Sequence, residues 1–169
     1  MFGLTTLGAI HTAISLVAVV AGVIALTRDK TILPGTTVGQ VYIWTTVLTC
    51  LTGFGIFQHG GFGKPHALGI LTRLALALAA VAGRTRLFGG ASKYVETIAY
   101  STTFFFHMVP GFTESLTRLP SGAPVFSSPD DPGLQKVIGV VLVLFLIGVA
   151  LQVRRLRAAK SMPPMAGLA

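Results

Sequence analysis

Four histidines, one arginine and one glutamate stand out chemically from the apolar chain around them: His11, His59, His66, His107, Arg73 and Glu114. Imidazole can ligate a metal or move a proton, and a guanidinium can hold an anion or a carbonyl oxygen. At membrane depth such groups are costly and rare, so each marks a functional site by default. At about 1.5 Å of rise per residue, His11 sits about 9 Å inside the start of its apolar run. Arg73 and His107 sit at comparable depths in theirs, while His59 and His66 lie nearer the rim on the same side. The expectation is one polar site shared by several helices. His11 and His107 would form its centre, His66 a rim or alternate ligand, and Arg73 the anion partner.

Two imidazoles on facing helices suit the axial positions of a b-type haem. A quinone-like group meeting the same side chains is the other form of this redox reading. A non-haem metal is a weaker version, in which His59 or Glu114 would join His11 and His107. No two of these residues have the close spacing of a helical motif such as H-E-x-x-H. The plainer alternative is that His11 and His107 only hydrogen-bond to neighbouring helices, through Ser15, Thr103 or backbone carbonyls, and that Arg73 pairs with Glu114. The protein would then be a non-catalytic accessory subunit of a larger membrane complex, without a cofactor. A small-molecule carrier or sensor is a third reading. Whether the chain is an enzyme stays open: it has no phosphate loop, nucleophile elbow or repeated histidine box. It also lacks the inverted repeat of many secondary transporters.

The elements that must position these residues follow from composition. Of 169 residues, 52% are hydrophobic and 11% charged, where a soluble domain carries about 25% charged residues. Five apolar runs, at about 5–27, 39–58, 66–82, 95–115 and 137–153, each approach the ~20 residues that cross a bilayer as a helix. The prediction is an all-α integral membrane bundle of five spans forming a single domain. The first run has no basic leader and is followed by charge, so it reads as a retained helix rather than a signal peptide.

The net charge of +8 would suit nucleic acid, but its distribution does not. With the N-terminus outside, nine basic residues fall on the inner side (Arg28, Lys30, Arg84, Arg86, Lys93, Arg154, Arg155, Arg157, Lys160) and three outside (Lys64, Arg118, Lys136). That bias predicts an N-out, C-in protein of the bacterial inner (plasma) membrane. The basic tail reads as a stop-transfer flank that can also meet anionic lipid headgroups. The lone Cys50 excludes an intrachain disulfide and reads as packing.

Gly8, His11, Ser15, Ala18 and Gly22 share one face of the first helix and should look into the bundle. In the second helix Thr52, Gly55 and His59 repeat the theme, and a glycine-rich turn leads to His66. Arg73 falls on the face of His66. Glu96, Tyr100, Thr103, His107 and Glu114 make one stripe along the fourth helix, which suits a proton path and an ordinary buried face equally. Pro110 and Gly111 predict a kink. Residues 121–133 read as a flexible loop, and the fifth helix as an aliphatic, peripheral one. Helices one to four form the functional bundle.

The leading His11, the run Gly39-Gln40-Val41-Tyr42, and Gly61-Phe62-Gly63 followed by His66 resemble a widespread group of bacterial multi-pass membrane proteins of unassigned function. The resemblance covers roughly residues 11–120, and the turn is its most specific part. Members usually carry a His-Arg pair before the second helix and another opening the fourth. Here Pro34-Gly35-Thr36-Thr37 and Ser92-Lys93-Tyr94 stand instead. The resemblance therefore implies an outer working end, with His11 and His66 retained. A looser likeness to cytochrome b561-type four-helix proteins implies room for one haem at most.

Overall fold

The computed structural model describes residues 5–56 and 63–161, and among them every regular element is helical. The helices are α1 (Thr6–Arg28), α2 (Thr37–Gly53), α3 (Lys64–Arg84), α4 (Ser92–Arg118) and α5 (Pro132–Ser161), with a short 3-10 turn at Gly89–Ala91 before α4. Local chemistry sets several ends. The Thr5 and Thr36 side chains accept the Gly8 and Gly39 backbone N–H groups at 3.1 Å, each satisfying an orphan donor of a first turn. Pro65 lies in the first turn of α3, where its missing N–H costs nothing. Gly39 is required for a different reason: a Cβ there would run into the Leu33 carbonyl.

Successive helices alternate in direction. The start of α1 meets the end of α2, where His11 bonds Thr52, and the middle of α2 meets α4, where Thr46 bonds His107. α1 packs chiefly on α2 and α3 on α4, while α2–α3 and α1–α4 contacts close the ring of four. α5 lies outside it against α4. One end of the bundle gathers the starts of α1 and α3 and the ends of α2 and α4. We call it the histidine end. The opposite, basic end carries Arg28, Arg84 and Lys93, together with the C-terminal turns of α5.

The interior is small and polar, while the exterior is large and apolar. Ala18, Ala21, Ala25, Ala79, Ala82 and Ala99 are buried beside Thr46, Thr49, Thr72 and Thr103. Leu74, Leu144 and Trp44 are 62%, 61% and 65% exposed, among many other large apolar side chains. Water would penalise such a surface, whereas lipid matches it, and small interior residues let helix backbones approach. A Cβ on Gly22 would lie 2.5 Å from the Phe104 ring and 3.0 Å from that of Tyr42, which shows how closely α1 nests between α2 and α4. Among the described residues three helices, α1, α3 and α5, are long and apolar enough to cross a membrane. α2 has only 17 residues. α4 is long enough but carries the polar stripe.

Several expectations need correction. α2 ends at Gly53 rather than continuing to Gln58, because the chain turns there through Phe54 and Gly55. α4 spans Ser92–Arg118 and so extends beyond the expected 95–115 at both ends. In the connection before α5 the Phe126 N–H bonds the Leu116 carbonyl at 3.0 Å, and Lys64 forms an exposed pair with Asp130 at 2.8 Å. α5 is peripheral as expected, but it is not without a polar contact. Gln152, one of its two buried residues, accepts from the Ser101 hydroxyl and donates to the Lys30 carbonyl, both at 2.9 Å.

Candidate functional site

A cavity of about 510 Å³ opens at the histidine end between α1, α2, α3 and α4. His11 from α1, His66 from α3 and His107 from α4 all line it. So do Thr12, Thr49, Cys50, Phe54 and Phe106, with Glu114 and Arg118 at its rim. The small residues Gly8, Gly53, Gly63 and Gly69 supply room. Its volume is that of a site for a ligand of a few fused rings or a ring with substituents.

The histidines are held from behind. His11 Nδ1 lies 2.9 Å from Thr52 Oγ1. Its ring also packs on Gly53, where a Cβ would come within 3.2 Å of His11 Cε1. His107 Nε2 lies 3.0 Å from Thr46 Oγ1, and the His107 ring stands edge-on to Tyr42 with centroids 6.1 Å apart. Tyr42 in turn bonds Thr103 Oγ1 through its hydroxyl at 2.7 Å. Tyr42, Thr46 and Thr103 are all at 0% exposure, so this network runs through the driest part of the bundle. In such surroundings each polar group must have a partner. His66 sits in the first turn of α3, where its Nδ1 accepts the Gly63 N–H at 3.2 Å. Its ring faces that of Phe54 at 6.2 Å.

Arg73 is not part of this cavity wall. Its side chain is exposed on α3, with the guanidinium 4.7 Å above the Phe54 ring, a cation–π contact that replaces the expected anion. The expected Arg73–Glu114 pair does not form, since Glu114 pairs with Arg118 one turn along α4. Seven residues after His66, Arg73 does share its helical face. At that level, however, the α3 surface turned inward is that of Thr72 and Leu76. His59 lies outside the described residues. Among the described residues no group of three or more His, Cys, Asp or Glu side chains is placed to hold a metal ion.

The stripe on α4 divides in two. Thr103 and His107 belong to the network around the cavity. Glu96 is buried at the basic end, paired with Lys93 at 2.8 Å and pressed against Gly83. Sequence reasoning missed the inward face of α2. Tyr42, Thr46, Thr49 and Gly53 recur at steps of four, three and four, the signal of a helix face. Threonines in an apolar run draw less attention than histidines, yet Thr46 of this face backs His107, as Thr52, already marked by its spacing to Gly55 and His59, backs His11. Comparison with protein families, with curated proteins and with solved structures finds no match for this chain.

Proposed function

We propose that this chain is a small integral membrane redox protein that holds a quinone-like ring group in the cavity at its histidine end. The observation that carries the reading is the convergence of His11, His66 and His107, from three helices, on one cavity of about 510 Å³. Imidazoles can hydrogen-bond ring oxygens, Phe54 and Phe106 can flank the ring, and the rim pair Glu114–Arg118 lies where a polar substituent would emerge.

The proposal includes five spans in a bacterial inner membrane, N-out and C-in, with lipid and other membrane subunits as partners. The outward-facing apolar side chains of α2 and the burial of the polar face of α4 support counting both helices as spans. The excess of basic residues at one end supports the orientation. Membership of the group of uncharacterised bacterial membrane proteins with the Gly-Phe-Gly turn is compatible with this reading.

A b-type haem is the second reading, favoured by the presence of two histidines on different helices of the same cavity. His11 and His107 would then be its axial ligands, and the group would supply one-electron transfer. An accessory subunit without cofactor is the rival from another class. Two measurements on detergent-purified protein separate the three: an absorption spectrum before and after dithionite, and solvent extraction of the sample followed by chromatography of the extracted quinones. Stoichiometric quinone with a featureless visible spectrum supports the leading reading. A Soret band that sharpens on reduction supports haem. Neither, from cells with ample haem and quinone, refutes the redox reading.

A further inference from the structure

We propose that the cavity is built to accept hydrogen bonds from its ligand: among the described residues it presents two imidazole nitrogens, on His11 and His107, as acceptors, and it therefore prefers a hydroxyl-bearing ring, a hydroquinone, over the corresponding quinone. This rests on the reading of the cavity as a ring-binding site and specifies which redox form it holds more tightly.

The tautomers follow from counting protons. A threonine hydroxyl has one hydrogen to donate. Thr46 gives its hydrogen to the Tyr42 carbonyl, 2.8 Å away, an acceptor that can only accept. With its own hydrogen directed there, Thr46 Oγ1 takes the acceptor role toward His107 Nε2. His107 is thereby assigned as the Nε2–H tautomer, with a lone pair at Nδ1. Thr52 repeats the arrangement on α2. Its hydrogen goes to the Leu48 carbonyl at 2.9 Å, with the Thr49 carbonyl at 3.1 Å, so Thr52 Oγ1 accepts from His11 Nδ1–H. The lone pair of His11 is left at Nε2. Helix-interior threonines commonly turn back on the preceding turn in this way. Here that habit assigns two of them the acceptor role toward an imidazole.

Geometry directs the lone pairs. The two nitrogens of an imidazole point in nearly opposite directions. Neither Thr46 nor Thr52 lines the cavity, whereas His11 and His107 both do. The bonded edges therefore face the α2 wall and the bare nitrogens face the cavity. His66 is the exception: its Nδ1 accepts from the Gly63 backbone, which places its hydrogen on Nε2, so it adds no acceptor to the pair formed by His11 and His107. A quinone offers only carbonyl acceptors to these two nitrogens, lone pair against lone pair. A hydroquinone offers one O–H to each, and a mismatch at even one such position in a dry site is costly.

The Tyr42–Thr103 bond keeps the arrangement in place. Thr103 donates to the Tyr100 carbonyl at 2.7 Å and so accepts from the Tyr42 hydroxyl. The Tyr42 hydrogen is thus committed away from His107. Tyr42 and Thr103 are positioning residues, acting through Thr46 and the His107 ring rather than on the ligand.

Two experiments on the full chain in detergent test the assignment. Ring nitrogen-15 shifts of histidine-labelled protein at neutral pH should show His107 protonated at Nε2 and His11 at Nδ1. The opposite tautomer at either ring overturns the inference, whatever the cavity binds. Titration with a short-tailed benzoquinone and with its hydroquinone should show the reduced form binding about tenfold more tightly, one hydrogen bond's worth. For a two-electron couple that raises the midpoint potential of the bound probe by about 30 mV.

Equal binding, or a preference for the quinone, overturns the inference and leaves the ring-binding reading standing. Failure of both forms to bind overturns that reading itself. Thr46→Val and Thr52→Val each remove an acceptor without changing shape. With helical content and elution volume unchanged, each should lower the preference by releasing one of the two imidazoles, and an unchanged preference in both variants overturns the proposed lock.

Discussion

Gln152 is the clearest place to test the packing of α5 on the bundle. α5 is thirty residues long yet buries only Leu134 and Gln152, so most of its length faces outward. Gln152 bridges two partners at the basic end, accepting from Ser101 on α4 and donating to the Lys30 carbonyl beyond α1. Lys30 adopts a left-handed φ of 63°, and the Gln152 amide donates to the carbonyl of that turn. Replacing Gln152 with Leu keeps the volume and removes both bonds. Side-chain hydrogen bonds between membrane helices average about 0.6 kcal/mol and reach about 1.7. Two of them, with two polar partners left behind, set an expected loss of about 1–3 kcal/mol. The assay is reversible unfolding in mixed micelles of rising SDS content, followed by circular dichroism. Gln135→Leu, on the exposed face of the same helix and losing only a solvent-exposed bond to the Pro129 carbonyl, is the control and should change stability by less than about 0.5 kcal/mol. A Gln152→Leu curve that overlays wild type would refute the claim that this clamp fastens α5.

Tyr42→Phe removes one buried hydroxyl while leaving the Thr103 hydrogen satisfied by Tyr100, so the same titration should show a loss of about 1 kcal/mol and no loss of helix. Gly22→Leu should cost more, about 1–3 kcal/mol or a failure to accumulate, because the new Cβ meets the Phe104 and Tyr42 rings. An unperturbed melting curve would contradict the close approach of α1. In intact cells, a cysteine placed at Ser127 should react with a membrane-impermeant thiol reagent, and one placed at Arg157 only after lysis. The reverse pattern would invert the proposed orientation. Arg73→Gln should leave probe binding in the cavity within about twofold, since Arg73 packs on Phe54 outside the lining. A large loss would return Arg73 to the site.

Much of the architecture is written in composition and periodicity. Long apolar runs with few charges must be helices if they meet lipid, and the small stripe Gly8–Ala18–Gly22 must face other helices because only small residues let backbones approach. Of the stripe Glu96–Tyr100–Thr103–His107–Glu114, the first four are buried as the spacing requires while Glu114 is exposed beyond the packed part of α4, and the aliphatic α5 is peripheral. These are properties of single helices, which a linear pattern can report. Pairings between helices are not. His11 meets Thr52 across 41 residues and His107 meets Thr46 across 61, and no spacing rule within one helix selects those partners.

The same limit explains Arg73. Its place on the face of His66 was legible, but the packing of α3 decides that the inward surface at that level belongs to Thr72 and Leu76. It also explains Gln152, whose value depends on a carbonyl more than a hundred residues away. The sequence by itself determined which side chains could do chemistry and which faces they occupy, because amphipathicity is local. Only the tertiary structure decided which hydroxyl backs each imidazole, and so which nitrogen looks into the cavity, because a hydrogen bond's direction depends on every partner its atoms already have.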